Sequence, residues 1–284
     1  MKKLLAFFFV ILAAGAAWAE DMKPLMAPEE VMALGPDALL IDMRGEAGEV
    51  AHPPGAAAAP YHLWRGPKSN PGEVLSDGAL TALLQRIGAS PDRPTVVLWE
   101  GRDATGFGGA ARVYWTLKSA GLTRIAILNG GIAAWRAAGG PMTMNAPRIA
   151  PSDHVFTLSD EWRATRAEVE AISKGAADGA LVDARPDAFL KGKKKHPAAR
   201  RAGTLNGAVN LEHASWFRGG AGRGLLDRFR DPGRDGPIVS FCNTGHWAAT
   251  NWFMMSEVEG VEGVKLYPES MVGWTLAGGE TVLR

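Results

Sequence analysis

The strongest constraint on the fold is an internal duplication of the sequence. Three segments recur in the same order, displaced by 141, 142 and 139 residues. The matched segments are 39–44 with 180–185, 95–100 with 237–242, and 125–129 with 264–268. Ordered matches at nearly constant spacing are typical of two copies of one structural unit, each with its own core. The sequence therefore predicts two related domains, at 24–140 and 158–284, joined by a linker at 141–157.

Each half of the sequence has the pattern of an α/β fold. Short β-branched runs alternate with helical segments, which is typical of a parallel sheet flanked by helices on both faces. The predicted helices are 79–87, 110–119, 165–174 and 248–256. Before the second of these helices we expect a glycine-rich loop at 101–109, longer than its counterpart at 243–247.

The first nineteen residues have the pattern of a secretory signal peptide, predicted at 1–19. Lys2 and Lys3 precede an apolar run at 4–17, and small residues flank a cleavage point before Glu20. The alternative is an uncleaved N-terminal anchor. No later segment has eighteen consecutive apolar residues, so we expect a periplasmic protein without stable membrane insertion after cleavage.

The charge balance gives no reason to expect binding to nucleic acid. The formal net charge is +1, and removal of Lys2 and Lys3 with the signal peptide makes it −1. Nucleic-acid binding usually requires a strongly basic surface. The chain has one local basic run, formed by Lys191, Lys193, Lys194, Lys195, His196, Arg200 and Arg201. This run is either a solvated loop or a surface that attracts anionic donors or an acidic partner protein.

Cys242 is the only cysteine of the chain, and its position favours a chemical role. It follows the buried-strand pattern 238–241 and precedes a short loop and a helix. Ligands of open α/β sheets bind outside the carboxyl ends of the strands. A tight loop and a helix N-terminus direct N–H groups toward the sulfur, which favours a thiolate and an anionic adduct on it. The alternative is a buried, inert thiol.

The loop after Cys242 supplies further candidate site residues. They are Asn243, Thr244, Gly245, His246 and Trp247. Gly245 permits the backbone angles that a tight loop needs. His246 is a candidate proton donor or substrate contact, or a loop residue without a role; Trp247 is expected to line the pocket or the domain interface. The histidines show no paired ligand spacing and one thiol makes no zinc site, so no metal or cofactor is predicted.

Taken in order, these motifs resemble the tandem-domain rhodanese family of sulfurtransferases. The segments that carry the resemblance are 110–115, 129–131 with Trp135, 183–185, 203–210, and Tyr267, Ser270 and Trp274. The segment 183–185 is similar to the family's Asp-Ala-Arg signature, and 203–210 to its Gly-His-Ile-Pro-Gly-Ala stretch. The resemblance covers almost the whole mature chain and implies two tandem rhodanese-like domains.

The resemblance also implies a reaction and roles for single residues. The Cys242 thiolate would take sulfur from thiosulfate or a similar anionic donor and hold it as a persulfide. A thiol, cyanide or a carrier protein would then accept the sulfur. Arg185 would bind the anionic group of the donor, or alternatively make only a structural ion pair. Glu100, matched to Cys242 in the first half, implies a non-catalytic first domain; the alternative is a general acid of a separate site.

Three questions stay open at the level of sequence. The loop after Cys242 fits neither thiosulfate enzymes, which often carry a basic residue there, nor mercaptopyruvate enzymes, so 3-mercaptopyruvate is an alternative donor. A phosphatase of similar fold would need a longer loop ending in arginine, whereas Ala248 stands at that position. A non-enzymatic sulfur carrier that receives persulfide from a partner needs the same cysteine and remains an alternative.

Overall fold

Two parallel β-sheets form the framework of the protein. The computed structural model describes residues 22–218 and 235–284, and the signal peptide predicted at 1–19 lies outside them. The strands of the first sheet are β1 (Leu25–Met26), β2 (Leu39–Asp42), β3 (Ala57–Ala58), β4 (Thr95–Leu98) and β5 (Ile125–Leu128). They pair in parallel in the spatial order β1-β5-β4-β2-β3.

The second sheet repeats the strand order β3-β2-β4-β5 of the first, without a strand equivalent to β1 among the described residues. Its strands are β6 (Ala180–Asp183), β7 (Val209–Asn210), β8 (Ile238–Phe241) and β9 (Val264–Leu266). They also pair in parallel, in the order β7-β6-β8-β9. The central strands β4 and β8 are buried at every position, as expected for strands covered on both faces.

Helices connect the strands in both halves. They are α1 (Pro28–Ala33), α2 (Asp77–Arg86), α3 (Ala104–Ser119), α4 (Gly131–Ala137), α5 (Arg166–Ser173), α6 (Asp187–Leu190), α7 (Trp247–Phe253) and α8 (Ser270–Leu276). Short 3₁₀ helices occupy Tyr61–Trp64 and His213–Phe217, and a π-helical turn at Met254–Val258 extends α7. Among the described residues, no helix is both long and apolar enough to cross a lipid bilayer.

Alternate residues of the central strands pack into different hydrophobic clusters. In β4, Val96 and Leu98 pack with Trp135 of α4, whereas Val97 packs with Trp115 of α3. Residues of β8 divide in the same way between the α8 and α7 faces. Because neighbouring strand residues point to opposite faces, helices must cover both faces of each sheet. The predicted fold class is therefore confirmed.

The two halves share a core where α3 packs against α7. Phe107 and Tyr114 of α3 meet Phe253 of α7 edge-to-face, with ring centroids 5.5 and 4.9 Å apart. Residues 138–165 contain no helix or strand, and this irregular stretch includes the predicted linker. The carboxyl ends of β4 and β8 precede these two helices, so the contact joins the first half to the loop that carries Cys242.

The predicted loop at 101–109 is wrong, because α3 already begins at Ala104. The side chain of Asp103 caps the helix by accepting the N–H of Gly106 at 2.7 Å. Gly108 and Gly109 lie within the helix, where an added Cβ would overlap His246 and Met43 respectively. Gly108 therefore allows close packing against the second half and Gly109 against Met43 of the first half, and the extra residues of the first half extend α3 instead of lengthening its loop.

The proposed equivalence of Glu100 and Cys242 is also wrong. Leu98 and Phe241 each stand opposite the aspartate that ends the neighbouring strand. The residue that follows is Trp99 in the first half and Cys242 in the second.

Backbone hydrogen bonds also show that Trp99 is the structural counterpart of Cys242. The N–H of Ile132 donates to the carbonyl of Trp99 at 2.8 Å, and the N–H of Met271 donates to that of Cys242 at 3.1 Å. The sequence match was displaced by one residue because both strands are continuous apolar runs, which carry no alternation to fix the register. Trp99 cannot carry sulfur, so the first half has no nucleophile at this position.

Candidate active site

Cys242 lies at the carboxyl end of β8, at the start of a four-residue loop that leads into α7. The residue is almost fully buried, with 1% of its surface exposed. The loop, residues 243–246, is packed between the first and second halves. Cys242 therefore occupies the edge of the sheet at which parallel α/β folds bind ligands.

Ser270 holds the two ends of this loop together. Its hydroxyl oxygen accepts the N–H of Cys242 at 3.0 Å and the N–H of Gly245 at 3.1 Å. The same hydroxyl donates to the carbonyl oxygen of Tyr267 at 2.8 Å. Ser270 has a φ of 50°, in the left-handed region that non-glycine residues rarely adopt. The hydrogen bonds of its side chain offset that backbone strain.

The remaining loop amides are free to bind an anion. Among the described residues, the backbone N–H groups of Asn243, Thr244 and His246 donate to no acceptor. Gly245 has a φ of 67°, which gives the loop its tight turn. Successive N–H groups in such a turn stabilise a negative charge on an enclosed atom. The loop thus has the donors needed to stabilise an anionic sulfur on Cys242.

A cavity of about 240 Å³ opens onto Cys242. Its lining residues are Arg65, Thr105, His196, Cys242, Asn243, Thr244, His246 and Trp247. Arg65 and Thr105 belong to the first half and the other residues to the second. The cavity therefore lies between the halves and is large enough for a small anion.

Arg65 supplies the cation that lines this cavity. Its Nη2 donates to the carbonyl of Thr244 at 3.0 Å, and its Nε donates to the carbonyl of Pro71 at 3.1 Å. The guanidinium also lies over the Tyr61 ring, 5.1 Å from its centroid. No carboxylate is among these partners, so the positive charge is available to an anionic ligand.

The His246 side chain connects the loop to the first half through two hydrogen bonds. One ring nitrogen, Nε2, lies 2.7 Å from the carbonyl of Thr105, and Nδ1 lies 2.8 Å from the hydroxyl of Tyr61. Nε2 must donate to the carbonyl, so Nδ1 accepts the proton of the Tyr61 hydroxyl. Burial lowers the pKa of His246 to about 4, with a further contribution from Arg65. The imidazole is neutral at pH 7, which does not suit a proton donor.

Trp247 forms one wall of the cavity. Its indole stacks on the imidazole of His213, with centroids 4.7 Å apart and planes inclined by 8°. Phe189 of α6 packs against its edge. These contacts fix the wall and connect it to α6, the helix that precedes the basic run.

Arg185 lies behind the loop and does not line the cavity. It is buried and forms a two-pronged ion pair with Asp183, with Nη2 2.6 Å from Oδ2 and Nε 2.9 Å from Oδ1. It also donates to the carbonyl of Gly203 and, at 3.4 Å, to the side-chain oxygen of Asn243. This placement favours the alternative of a structural ion pair, through which Arg185 orients Asn243.

The first half contains a counterpart of this arrangement. Arg44 pairs with Asp42 through Nη2 at 2.7 Å, and its Nη1 lies 3.6 Å from a carboxylate oxygen of Glu100. Glu100 thus stands where the second half has Asn243. Its carboxylate is partly exposed and also pairs with Arg102. These ion pairs favour a structural role over a general acid of a separate site.

The structure brings most of the predicted site residues together and adds others. Cys242, Asn243, Thr244, His246 and Trp247 line the cavity, whereas Arg185 and Gly245 do not. Sequence reasoning missed Arg65, Thr105 and His196 as lining residues. No motif marks Arg65 or Thr105, which only the packing of the halves brings to Cys242, whereas His196 belongs to the basic run of the second half. Ser270 belonged to a motif in the resemblance, which was the available signal for its role.

Comparison with known proteins extends these observations. Residues 165–277 match the rhodanese-like domain family, a region that includes Cys242. The chain is 30% identical over 249 residues to a thiosulfate sulfurtransferase of Azotobacter vinelandii, covering 84% of this chain and 88% of the relative. It is 28% identical over 217 residues to the sulfur carrier protein TtuD of Thermus thermophilus, covering 71% and 75% of the two chains.

A solved structure supports the same fold. The Tum1 protein of Saccharomyces cerevisiae superposes with a TM-score of 0.73 at 18% identity, over 90% of this chain and 96% of that one. The matched family domain contains the cysteine loop described above, and the thiosulfate sulfurtransferase relative aligns over most of both chains. The chain belongs to the rhodanese family of sulfurtransferases.

Proposed function

We propose that this protein transfers sulfur from a small anionic donor to a thiophilic acceptor through a persulfide on Cys242. The observation that supports this proposal is the surroundings of the Cys242 sulfur atom. Cys242 lines a small cavity, next to a loop with free amide donors and opposite the cationic Arg65. This arrangement can bind an anion and stabilise a negative charge on the outer sulfur of a Cys242 persulfide.

The reaction divides into two displacement steps. The Cys242 thiolate attacks the outer sulfur of thiosulfate, a new S–S bond forms, and the sulfur–sulfur bond of the donor breaks. Sulfite leaves with the electron pair, and the persulfide keeps one negative charge. Cyanide or a thiolate then attacks the outer sulfur, and the bond to Cys242 breaks with return of the thiolate. No proton or external electron is needed in either step, which fits a neutral His246.

Arg65 is the residue that we assign to donor binding. Approach of a thiolate to a doubly charged donor is opposed by repulsion, which a nearby guanidinium reduces. Thiosulfate is the donor we favour, since the relative from Azotobacter vinelandii is a thiosulfate sulfurtransferase. The carboxylate of 3-mercaptopyruvate could use the same cation, so it is the alternative donor.

A turnover assay tests the enzymatic proposal. The purified protein is incubated with cyanide and either thiosulfate or 3-mercaptopyruvate, and thiocyanate is measured over time. We expect many thiocyanate molecules per protein chain with one of the donors and none with Cys242→Ser. Absence of thiocyanate with both donors, from folded protein, would contradict the proposal.

A non-turnover sulfur carrier is the second candidate, favoured by the similarity to TtuD. A carrier would gain one sulfur on Cys242 but would release it only to a specific partner. Stoichiometric loading without turnover in the same assay would identify this case. A partner protein would then be needed as acceptor in place of cyanide.

We propose further that the protein is exported and works in the periplasm. The support is the signal-peptide pattern of residues 1–19. Expression of the full sequence in a Gram-negative host, with fractionation and N-terminal sequencing, tests this. The expected mature chain lies in the periplasmic fraction and begins at Glu20. An intact N-terminus in the membrane fraction would indicate an uncleaved anchor, and an intact one in the cytoplasm would exclude export.

A further inference from the structure

Arg112, on α3 of the first half, is a buried cation without a carboxylate partner within hydrogen-bond distance in the described part of the chain. Its exposed fraction is 1%. Nη2 donates to the carbonyl of Gly72 at 3.1 Å, whereas Nε and Nη1 have no hydrogen-bond partner among the described residues. Removing a guanidinium from water without full pairing is unfavourable. A folded protein keeps such a group where its charge has a counterpart.

The unpaired side of this guanidinium faces the cysteine loop. Nη1 lies against the α-carbon of Gly245, so closely that a Cβ on that residue would overlap it. Gly245 is tied to Cys242 by the shared hydroxyl of Ser270. The opposite side of Arg112 lies over the Trp115 ring, 5.1 Å from the centroid. The charge is therefore enclosed by protein and directed at the loop.

Few groups near Arg112 can balance its charge. Burial lowers the pKa of Arg112 to about 10, so it is still protonated at pH 7. Burial raises the pKa of Tyr61, which is consequently an uncharged phenol. Glu269 also interacts electrostatically with Arg112; one of its carboxylate oxygens is bound by Arg163 at 2.7 Å, and the other, Oε2, has no hydrogen-bond partner among the described residues. The Cys242 thiol is the other acidic group that interacts with Arg112, and it differs from Glu269 in belonging to the loop that Nη1 faces.

We propose that Arg112 is a positioning residue of the first half, whose buried charge stabilises the anionic sulfur of Cys242 across the Gly245 turn. It acts on the thiolate before sulfur is loaded and on the persulfide afterwards. It does not touch the donor, because it lies behind the loop and not in the cavity. This gives the first half a chemical contribution although Trp99 replaces the cysteine. The inference rests on the proposed function only for the persulfide; the effect on the free thiolate is independent of it.

Alkylation of Cys242 by the neutral reagent iodoacetamide tests this inference without any sulfur donor. Its rate depends on the thiolate fraction. For Arg112→Gln we expect about a tenfold slower alkylation at pH 7, because a smaller fraction of the thiol is ionised without the buried charge. In Arg112→Gln, alkylation should reach half of its maximal rate at a higher pH than in wild type. Arg112→Lys should restore a large part of the wild-type rate. A purely structural role would not restore the pH profile with lysine.

Arg93→Gln is the matched control. Arg93 is also a partly buried arginine of the first half that binds backbone carbonyls, but it precedes the amino end of β4, away from Cys242. Its substitution should lower stability without changing the alkylation profile. A folded Arg112→Gln protein with the wild-type pH profile would overturn the inference, whether or not sulfur transfer is observed.

A second measurement covers the case in which Arg112→Gln does not fold. In wild-type protein labelled with ¹⁵N, the buried Nε–H of Arg112 should give a resolved NMR signal, assigned by its loss in Arg112→Lys. We expect this signal to shift with pH in step with the alkylation rate, and to stop doing so in Cys242→Ser. If the chemical shift of this signal does not change as the Cys242 thiol ionises, the proposed coupling is refuted.

Discussion

The hydroxyl of Ser270 accepts the backbone N–H of Cys242 at 3.0 Å, and so ties the start of α8 to the nucleophile. The same oxygen accepts the N–H of Gly245 and therefore sets the distance across the loop. Two buried donors thus depend on one side chain. The shape of the cysteine loop is determined by this residue as much as by its own sequence.

Replacement of Ser270 by alanine should therefore destabilise the protein and distort the loop. Two buried N–H groups would lose their acceptor, at a cost of about 2–4 kcal/mol in the free energy of unfolding. Ser240→Ala is the control, since among the described residues this buried hydroxyl makes a single hydrogen bond, to the carbonyl of Ala248. Urea unfolding and thiocyanate assays check the prediction. Equal losses in the two variants would contradict it.

Replacement of Gly245 by alanine should be more harmful than a similar change elsewhere. The left-handed φ and the overlap with Arg112 and with the backbone carbonyl of Pro268 oppose a Cβ at this position. Gly260→Ala is the matched control, because its φ of 64° is nearly the same and no atom lies within 4 Å of its added Cβ. We expect a loss of roughly 1 kcal/mol for Gly260→Ala and roughly 3 kcal/mol or more for Gly245→Ala. Thermal unfolding and activity assays check this prediction. Equal losses of stability in the two variants would contradict it.

Replacement of Arg65 by glutamine should weaken donor binding. The guanidinium lines the cavity and has no carboxylate partner among the described residues, so its loss should raise KM for thiosulfate roughly tenfold or more. The rate at which a preformed Cys242 persulfide transfers its sulfur to cyanide should change less than KM. Arg102→Gln is the control, since Arg102 is exposed and pairs with Glu100 outside the cavity. An unchanged KM in Arg65→Gln would show that another group binds the donor.

The stability of the protein should fall in mild acid, in part because of His246. Burial lowers its pKa from 6.5 to about 4, so the unfolded chain binds a proton between these values and the folded protein does not. Stability is therefore present above pH 6.5 and is lost as the pH falls toward 4. We expect wild type to lose about 1–2 kcal/mol more than His246→Gln between pH 7 and pH 5. The pKa values of His196 and His213 are lowered too, so only the difference from the variant in urea unfolding isolates His246.

The sequence predicts the framework well because it depends on local patterns. Apolar runs locate β4 and β8, and the duplication predicts two sheets of the same design. The position of Cys242 follows from the end of the strand pattern at 238–241. These features need no knowledge of how the halves meet.

Several of the failures concern positions at which the halves meet. Glycines 106, 108 and 109 have the composition of a loop, but they lie in a helix that must approach His246 closely. Arg65 carries no sequence signal, and Arg112 carries only its place in the segment 110–115, because the roles of both residues arise from packing against the second half. Arg185 shows a different limit, within the second half: of the two roles predicted for it, the pairing with Asp183 behind the loop favours the structural ion pair over donor binding.

The central claim is that Cys242 carries sulfur as a persulfide, and intact-protein mass spectrometry under non-reducing conditions tests it most directly. After incubation with thiosulfate and removal of excess donor, wild-type protein should be heavier by one sulfur atom. Cyanide should remove this sulfur, and a Cys242→Ser protein should never gain it. A folded wild-type protein that keeps its original mass after exposure to both thiosulfate and 3-mercaptopyruvate would contradict the account.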